Sequence, residues 1–212
     1  MAYRPTEKTE ARKKAQHKLL SDTALAIVSN DGFKALTIAS LAQEAGVAIG
    51  TIYKYFEDKA ALCTHVFKIA SGKEVEMVRR SAFPEPSSDS EKLNCTERLE
   101  QTIQSFAERA IAGHKLAYAL IAEPVSPDIE AERLIYRKAY ADIFEHLIEQ
   151  GIDTGEFRRQ DTKVAATAIV GALAETLVSP LAHIVEQNIN APDEELFSSI
   201  KKFCLNAVCK TD

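Results

Sequence analysis

The stretch that decides the fold runs from Leu36 to Phe56 and reads LTIASLAQEAGVAIGTIYKYF. Apolar residues recur in it at helical spacing and Gly46 interrupts them, so the pattern predicts two short helices, about 37–45 and 48–56, joined by a tight turn. Thr37 is a suitable N-cap for the first helix. The small Ala42 lets two helix backbones approach closely, and a glycine tolerates the conformation that the turn requires. The segment therefore indicates a helix-turn-helix unit.

The second short helix would expose a mixed polar and apolar surface. Leu41, Val47 and Ile52 are expected to form a small core between the two helices, which leaves the remaining positions facing outward. These are Ile49, Gly50, Thr51, Tyr53, Lys54 and Tyr55. A helix of this kind can enter the major groove of DNA, with hydroxyl and ammonium groups available for phosphates and base edges.

Extended to Leu62, the segment resembles the DNA-binding signature of the TetR family of bacterial regulators. The matching positions are Thr37, Ala42, Ala45, Gly46, Val47, Gly50, Ile52, Tyr53, Tyr55, Phe56, Lys59 and Leu62. The resemblance implies that Thr37, Tyr53, Tyr55 and Lys59 contact phosphates. It also implies that the major groove is faced by Ile49, Gly50, Thr51 and Lys54.

Two positions depart from the family pattern. Position 48 is Ala, where many members have a Ser that caps the helix, and position 49 is Ile, where many have Lys or Arg. The change at position 49 removes a cation that could read a base and allows an apolar contact with a thymine methyl group instead. The sequence of the DNA site consequently stays open.

The rest of the chain shows helical periodicity and no alternating pattern long enough for a strand. We expect an all-α protein of about nine helices, with a three-helix DNA-binding domain at residues 1–60 and a larger ligand-binding and dimerisation domain at residues 61–212. The first helix should cover about 9–30 and end at Asp31-Gly32, and a long fourth helix should begin near Lys59. Residues 84–90 are the most loop-like. The last two helices are expected at about 162–179 and 192–208.

Charge is distributed unevenly along the chain. The net charge is −5, yet residues 1–20 carry six Lys or Arg against two acids. A basic head on an acidic body suits a protein that presents one face to a polyanion, and Arg4, Lys8, Arg12 and Lys13 could add contacts to DNA. An ordinary solvated helix face would look the same.

The resemblance implies that the last two helices pair with those of a second subunit, so that a homodimer binds a palindromic operator. Ala165, Ala168, Gly171 and Ala172 are small enough for close helix approach, although both helices could pack within their own subunit.

The family also implies a small-molecule effector of unknown identity, with the long fourth helix acting as the lever that changes the spacing of the recognition helices. Candidate pocket residues are Phe67, Phe106, His114, Tyr118, Glu123, Tyr136, Tyr140, Phe144 and Glu175. For each of them, an ordinary place in the helical core is the alternative.

Other classes of protein find little support. Because the N-terminus is polar and no apolar run suggests a membrane span, we expect a soluble, cytoplasmic protein. The four cysteines form no paired motif, the five histidines are scattered, and no catalytic signature occurs, so no metal, cofactor or enzymatic activity is expected. The alternatives are an enzyme built from unmarked residues and a helical interaction module with a decayed helix-turn-helix.

Overall fold

In the computed structural model, which describes residues 7–85, 93–187 and 194–210, these segments form nine helices and no strand, as the all-α prediction requires. The helices are α1 (Glu7–Ala35), α2 (Ile38–Glu44), α3 (Ile49–Ile52), α4 (Lys59–Ala82), α5 (Cys95–Ala112), α6 (His114–Ile121), α7 (Pro127–Asp153), α8 (Thr162–Gln187) and α9 (Glu194–Val208). Arg4, Pro86–Ser90 and Pro192, to which predictions were attached, lie outside the described residues.

The front of the chain follows the predicted local signals closely. Helix α1 is interrupted at Gly32, whose φ of 76° lies in the left-handed region. Thr37 caps α2, where its side chain accepts a hydrogen bond from the Ser40 amide and its own amide donates one to the Ser40 hydroxyl. Gly46, with a φ of 63°, makes the turn into α3.

Helix α3 is shorter than predicted. It covers Ile49–Ile52 rather than about 48–56, because the amides of Lys54 and Tyr55 bond to carbonyls three residues back and close turns instead of continuing the helix. The capping residue Ala48 offers no side-chain hydrogen bond, which agrees with the missing serine at that position. The helix is therefore held by packing of Ile52, which is fully buried.

Two buried clusters form the core. One joins α1, α2 and α3 to the first half of α4, and includes Ala119 and Ile129 from α6 and α7. The other joins the second half of α4 to α5, α7, α8 and α9. Since α4 contributes to both clusters, the division of domains at residue 60 stays a prediction.

Helix α8 corrects two expectations. It extends to Gln187, beyond the predicted end at 179, and Pro180 lies inside it. Its segment Thr162–Val185 is also long and apolar enough to cross a membrane by length and composition, with a mean hydropathy of 1.7, contrary to the sequence interpretation. The apolar composition has another explanation, because Ala166, Ile169, Leu173 and Leu177 pack into the core while small residues occupy the outer face.

The corner after α7 is tightly packed. Gly151, which was predicted to begin a turn region, lies in the last part of α7, and the ring of Phe157 is seated directly against it. The Phe157 amide donates to the Gly151 carbonyl at 2.8 Å, and Phe157 pairs with Cys209 in an isolated antiparallel bridge. This corner fixes the end of α9 against the end of α7.

Candidate nucleic-acid interface and effector cavity

The surface around α3 is exposed as predicted. Ile49 and Tyr53 are 50% and 54% exposed and lie side by side on this surface with Gly50 and Lys54. Gly50, Lys54 and Lys59 are also exposed, whereas Thr37, Thr51 and Tyr55 are half-buried. The structure thus brings the eight predicted DNA-contact residues to α3 and the starts of α2 and α4, and their contacts with DNA remain predictions.

Thr37 already has a structural role. Its hydroxyl accepts from the Ser40 amide at 2.9 Å and donates toward Ser40 Oγ at 3.0 Å. Its amide donates to the Ser40 hydroxyl at 2.9 Å. Any phosphate contact by Thr37 would therefore share groups with the cap of α2.

Gly50 has no internal reason to be glycine. A β-carbon at this position would meet no atom of the described residues within 4 Å, and Gly50 does not adopt a positive φ. Glycine inside a helix costs about 1 kcal/mol relative to alanine. A close approach by a DNA backbone would account for the missing side chain.

An aromatic cluster supports the end of the recognition segment. The His17 ring lies 5.9 Å from the Tyr55 ring, 5.5 Å from that of Phe56 and 5.0 Å from that of His65. Ser21 Oγ donates to the His17 carbonyl at 2.9 Å and lies 2.8 Å from His65 Nε2. Helices α1 and α4 thereby hold the turn that carries Tyr55.

This cluster predicts acid sensitivity. Burial, and to a lesser extent the neighbouring His17, lower the pKa of His65, so the unfolded chain takes up its proton at a higher pH than the folded chain. The contribution of His65 to stability is complete above the ordinary histidine pKa, about 6.5, and is lost as the pH falls below it. We expect the melting temperature to fall more between pH 7.5 and pH 5.5 in the wild type than in a His65→Gln variant, measured by circular dichroism. Equal falls would show that His65 does not contribute.

A cavity of about 290 Å³ opens between the middle helices. Its wall is mainly apolar and comes from α4, α5, α6, α7 and α8. Lining residues include Phe67, Phe106, Leu116, Leu120, Tyr136, Tyr140, Phe144 and Leu173. A largely apolar cavity with a few polar groups is the usual form of a small-molecule site.

Charged groups also border the cavity. Arg109 holds Glu74 through two nitrogens, with Arg109 Nη2 2.7 Å from Glu74 Oε1. Arg133 is buried, and burial lowers the pKa of its guanidinium. Arg137 is exposed and lines both the cavity and a surface groove between α7 and α8. Burial also raises the pKa of Tyr140, which keeps its hydroxyl neutral.

Five of the nine predicted pocket residues line this cavity: Phe67, Phe106, Tyr136, Tyr140 and Phe144. The other four lie outside it. Tyr118 packs at the edge of the core and His114 begins α6. Glu175 borders the α7/α8 groove instead. Glu123 is engaged by backbone amides of α1, so its carboxylate is not a free anchor for an effector.

Two arginines of the cavity wall, Arg133 and Arg137, were not predicted from the sequence. Each arginine lies three residues before a tyrosine of α7, Arg133 before Tyr136 and Arg137 before Tyr140, and therefore on the same side of the helix. This spacing in the sequence could have indicated that the arginines border the cavity. Among the described residues, no group of three His, Cys, Asp or Glu side chains is arranged to hold a metal ion.

Two family models match the chain, one in its N-terminal part and one in its C-terminal part. Residues 20–66 match the family model described as bacterial regulatory proteins, tetR family, and residues 92–177 match that of the tetracyclin repressor-like C-terminal domain. Together the two matches cover more than half of the chain.

Individual relatives agree with these matches. The fatty acid metabolism regulator protein of Bacillus subtilis is 26% identical over 171 residues, which are 79% of this chain and 84% of that protein. A transcriptional repressor KstR from Mycolicibacterium smegmatis is 36% identical over 70 residues, 33% of this chain and 32% of that protein. The structure of FadR from Bacillus subtilis in complex with stearoyl-CoA superposes with a TM-score of 0.71 at 21% identity, covering 90% of this chain and 98% of that one.

Proposed function

The chain belongs to the TetR family of bacterial regulators, and from that premise we propose that it is a cytoplasmic, ligand-released repressor that binds a palindromic operator as a homodimer. Its family and its relatives are DNA-binding transcriptional regulators and not enzymes. The observation that carries the proposal is the exposed α3 surface, on which Ile49 and Tyr53 are half exposed beside Gly50 and Lys54.

The outer face of α8 supports pairing with a second copy. Ala168 and Gly171 are exposed, and Val164 is 65% exposed. Within the described part of the chain, a β-carbon at Gly171 would meet no atom within 4 Å, so another helix can approach closely there. Phe203 of the adjacent α9 is 62% exposed. Burial of this face in an isologous dimer would remove its apolar surface from water and place two recognition helices about one DNA turn apart.

The effector we propose is a fatty acyl thioester. The cavity wall is mainly apolar, as an acyl chain requires, and Arg137 at the junction of cavity and groove is available to an anionic head group. The similar structure of FadR from Bacillus subtilis was solved in complex with stearoyl-CoA. Release requires the effector to favour a dimer whose recognition helices are spaced differently, with α4 as the connecting lever.

Selection of random duplex DNA on the purified protein, followed by sequencing of the bound fraction at physiological salt, tests this function. We expect an enriched palindrome with half-sites about one turn apart. Enrichment of a single half-site would contradict the dimer. Absence of any enrichment, with only weak salt-sensitive binding, would contradict operator recognition.

Filling the cavity should separate effector binding from DNA binding. Ala117 lines the cavity, and an Ala117→Phe change places an aromatic ring in it. We expect binding of stearoyl-CoA, followed by calorimetry, to weaken by at least about tenfold, since an occupied site excludes the ligand. Affinity for the selected duplex should be unchanged. Ala131→Phe, at an exposed position on α7, is the matched control, and equal ligand affinity in both variants would place the effector elsewhere.

A further inference from the structure

Glu123 connects the end of α6 to α1 through its side chain. It lies just beyond the end of α6, and its carboxylate accepts hydrogen bonds from the amides of Phe33 and Lys34, both at 2.9 Å. These two amides follow Gly32, where α1 is interrupted. A β-carbon at Gly32 would lie 2.8 Å from Glu123 Oε2, so glycine leaves the space that the carboxylate fills.

The main chain of the same residue is tied to the cavity. Arg133 donates from Nη2 to the Glu123 carbonyl and from Nε to the Leu120 carbonyl, each at 2.9 Å. Arg133 is buried. Both Arg133 and Leu120 border the cavity. The end of α6 is thereby fixed on one side to the cavity wall and on the other to the interruption in α1.

The segment after Gly32 leads directly into the helix-turn-helix. Phe33 and Leu36 are buried in the cluster that joins α1, α2 and α3 to the first half of α4, and Leu36 immediately precedes the Thr37 cap of α2. Lys115 at the start of α6 adds a 4.0 Å ion pair with Asp31. A displacement of the end of α6 would therefore move the segment from which α2 begins.

We propose that Glu123 and the two α1 amides form a joint that couples occupancy of the cavity to the position of the helix-turn-helix. This inference rests on the proposed function and assigns its transmission to α6 and α1, in addition to the α4 lever. Coupling is reciprocal, so binding of DNA must alter the end of α6 as binding in the cavity alters α2 and α3. That reciprocity allows a test without knowledge of the natural effector.

The test is amide hydrogen exchange of the full-length protein, free and saturated with the selected duplex. In the wild type we expect the duplex to slow exchange at the end of α6 by about fivefold or more, the lower range of measured couplings. In Glu123→Gln that slowing should disappear while protection of α2 and α3 by DNA persists. The amide side chain can accept from one α1 amide but presents its own donors to the other.

Glu108→Gln is the control, because it changes charge equally at an exposed α5 residue bonded to Gln104. It should keep the wild-type response. Gly32→Ala reaches the joint from the opposite side and replaces Glu123→Gln if that variant does not fold. An equal response of α6 in wild type and joint variants would overturn the joint, as would DNA binding by the wild type with no response in α6. Failure of the wild type to bind any duplex would instead overturn the proposed function.

Discussion

Replacement of both Tyr53 and Lys54 by alanine is expected to lower affinity for the selected duplex by about 100-fold or more, since each lost hydrogen bond to a charged group costs about 1.5–3 kcal/mol. Both side chains are exposed at the end of α3. Their removal should consequently leave the fold intact, which circular dichroism can verify.

Two further variants separate the tyrosine hydroxyl from the lysine charge and from a general loss of positive charge. Tyr53→Phe removes only the hydroxyl, and Lys73→Ala removes an exposed lysine of α4 distant from α3. Fluorescence anisotropy over a range of salt concentrations should show a shallower salt slope for Lys54→Ala, by about one per lysine removed from contact with a phosphate. An unchanged affinity in the double variant would favour an interaction module with a vestigial helix-turn-helix.

Gly151→Ala is expected to cause the largest loss of stability. A β-carbon on Gly151 would lie 2.1 Å from Cδ2 of Phe157, whose side chain is 1% exposed and cannot move into solvent. Overpacking of this kind costs about 1–3 kcal/mol. For a chain of this size that corresponds to a fall in melting temperature of about 2–12 °C.

Gly50→Ala provides the matched control for this change. A β-carbon at Gly50 lies more than 4 Å from the other atoms that the structure describes, so the same substitution should leave the melting temperature unchanged or raise it slightly. If close approach of DNA explains the glycine, this control should weaken operator binding although it does not destabilise the protein. A melting temperature of Gly151→Ala equal to that of the wild type would mean that the Phe157 ring is not fixed against α7.

The front of the fold was predictable because its signals are local. The Thr37 cap, the glycine turns at 32 and 46, and the apolar positions of α2 each depend on residues within one or two turns. The length of α3 was predicted wrongly because the local apolar spacing does not show where the backbone hydrogen bonds stop following the helical pattern. Helical spacing continued through Tyr55, whereas the backbone hydrogen bonds of Lys54 and Tyr55 close turns.

The cavity was predictable only in part. Aromatic residues at helical spacing identified the inward faces of α4, α5 and α7, and five of them line the cavity. Glu123 was predicted as an effector anchor, but its partners lie about 90 positions earlier in the chain, and no local pattern indicates such a pairing. The buried Arg133 was missed because, apart from Glu130, its acceptors are backbone carbonyls of the end of α6, which the sequence does not distinguish.

The most direct test of the account is an anisotropy titration of the selected duplex with the wild-type protein, with and without stearoyl-CoA. We predict that saturating stearoyl-CoA weakens duplex binding by at least about fivefold, the lower range of allosteric couplings. We also predict that the effect is lost in Ala117→Phe, whose cavity is filled. Identical affinities with and without bound stearoyl-CoA would contradict release of the operator by a fatty acyl thioester.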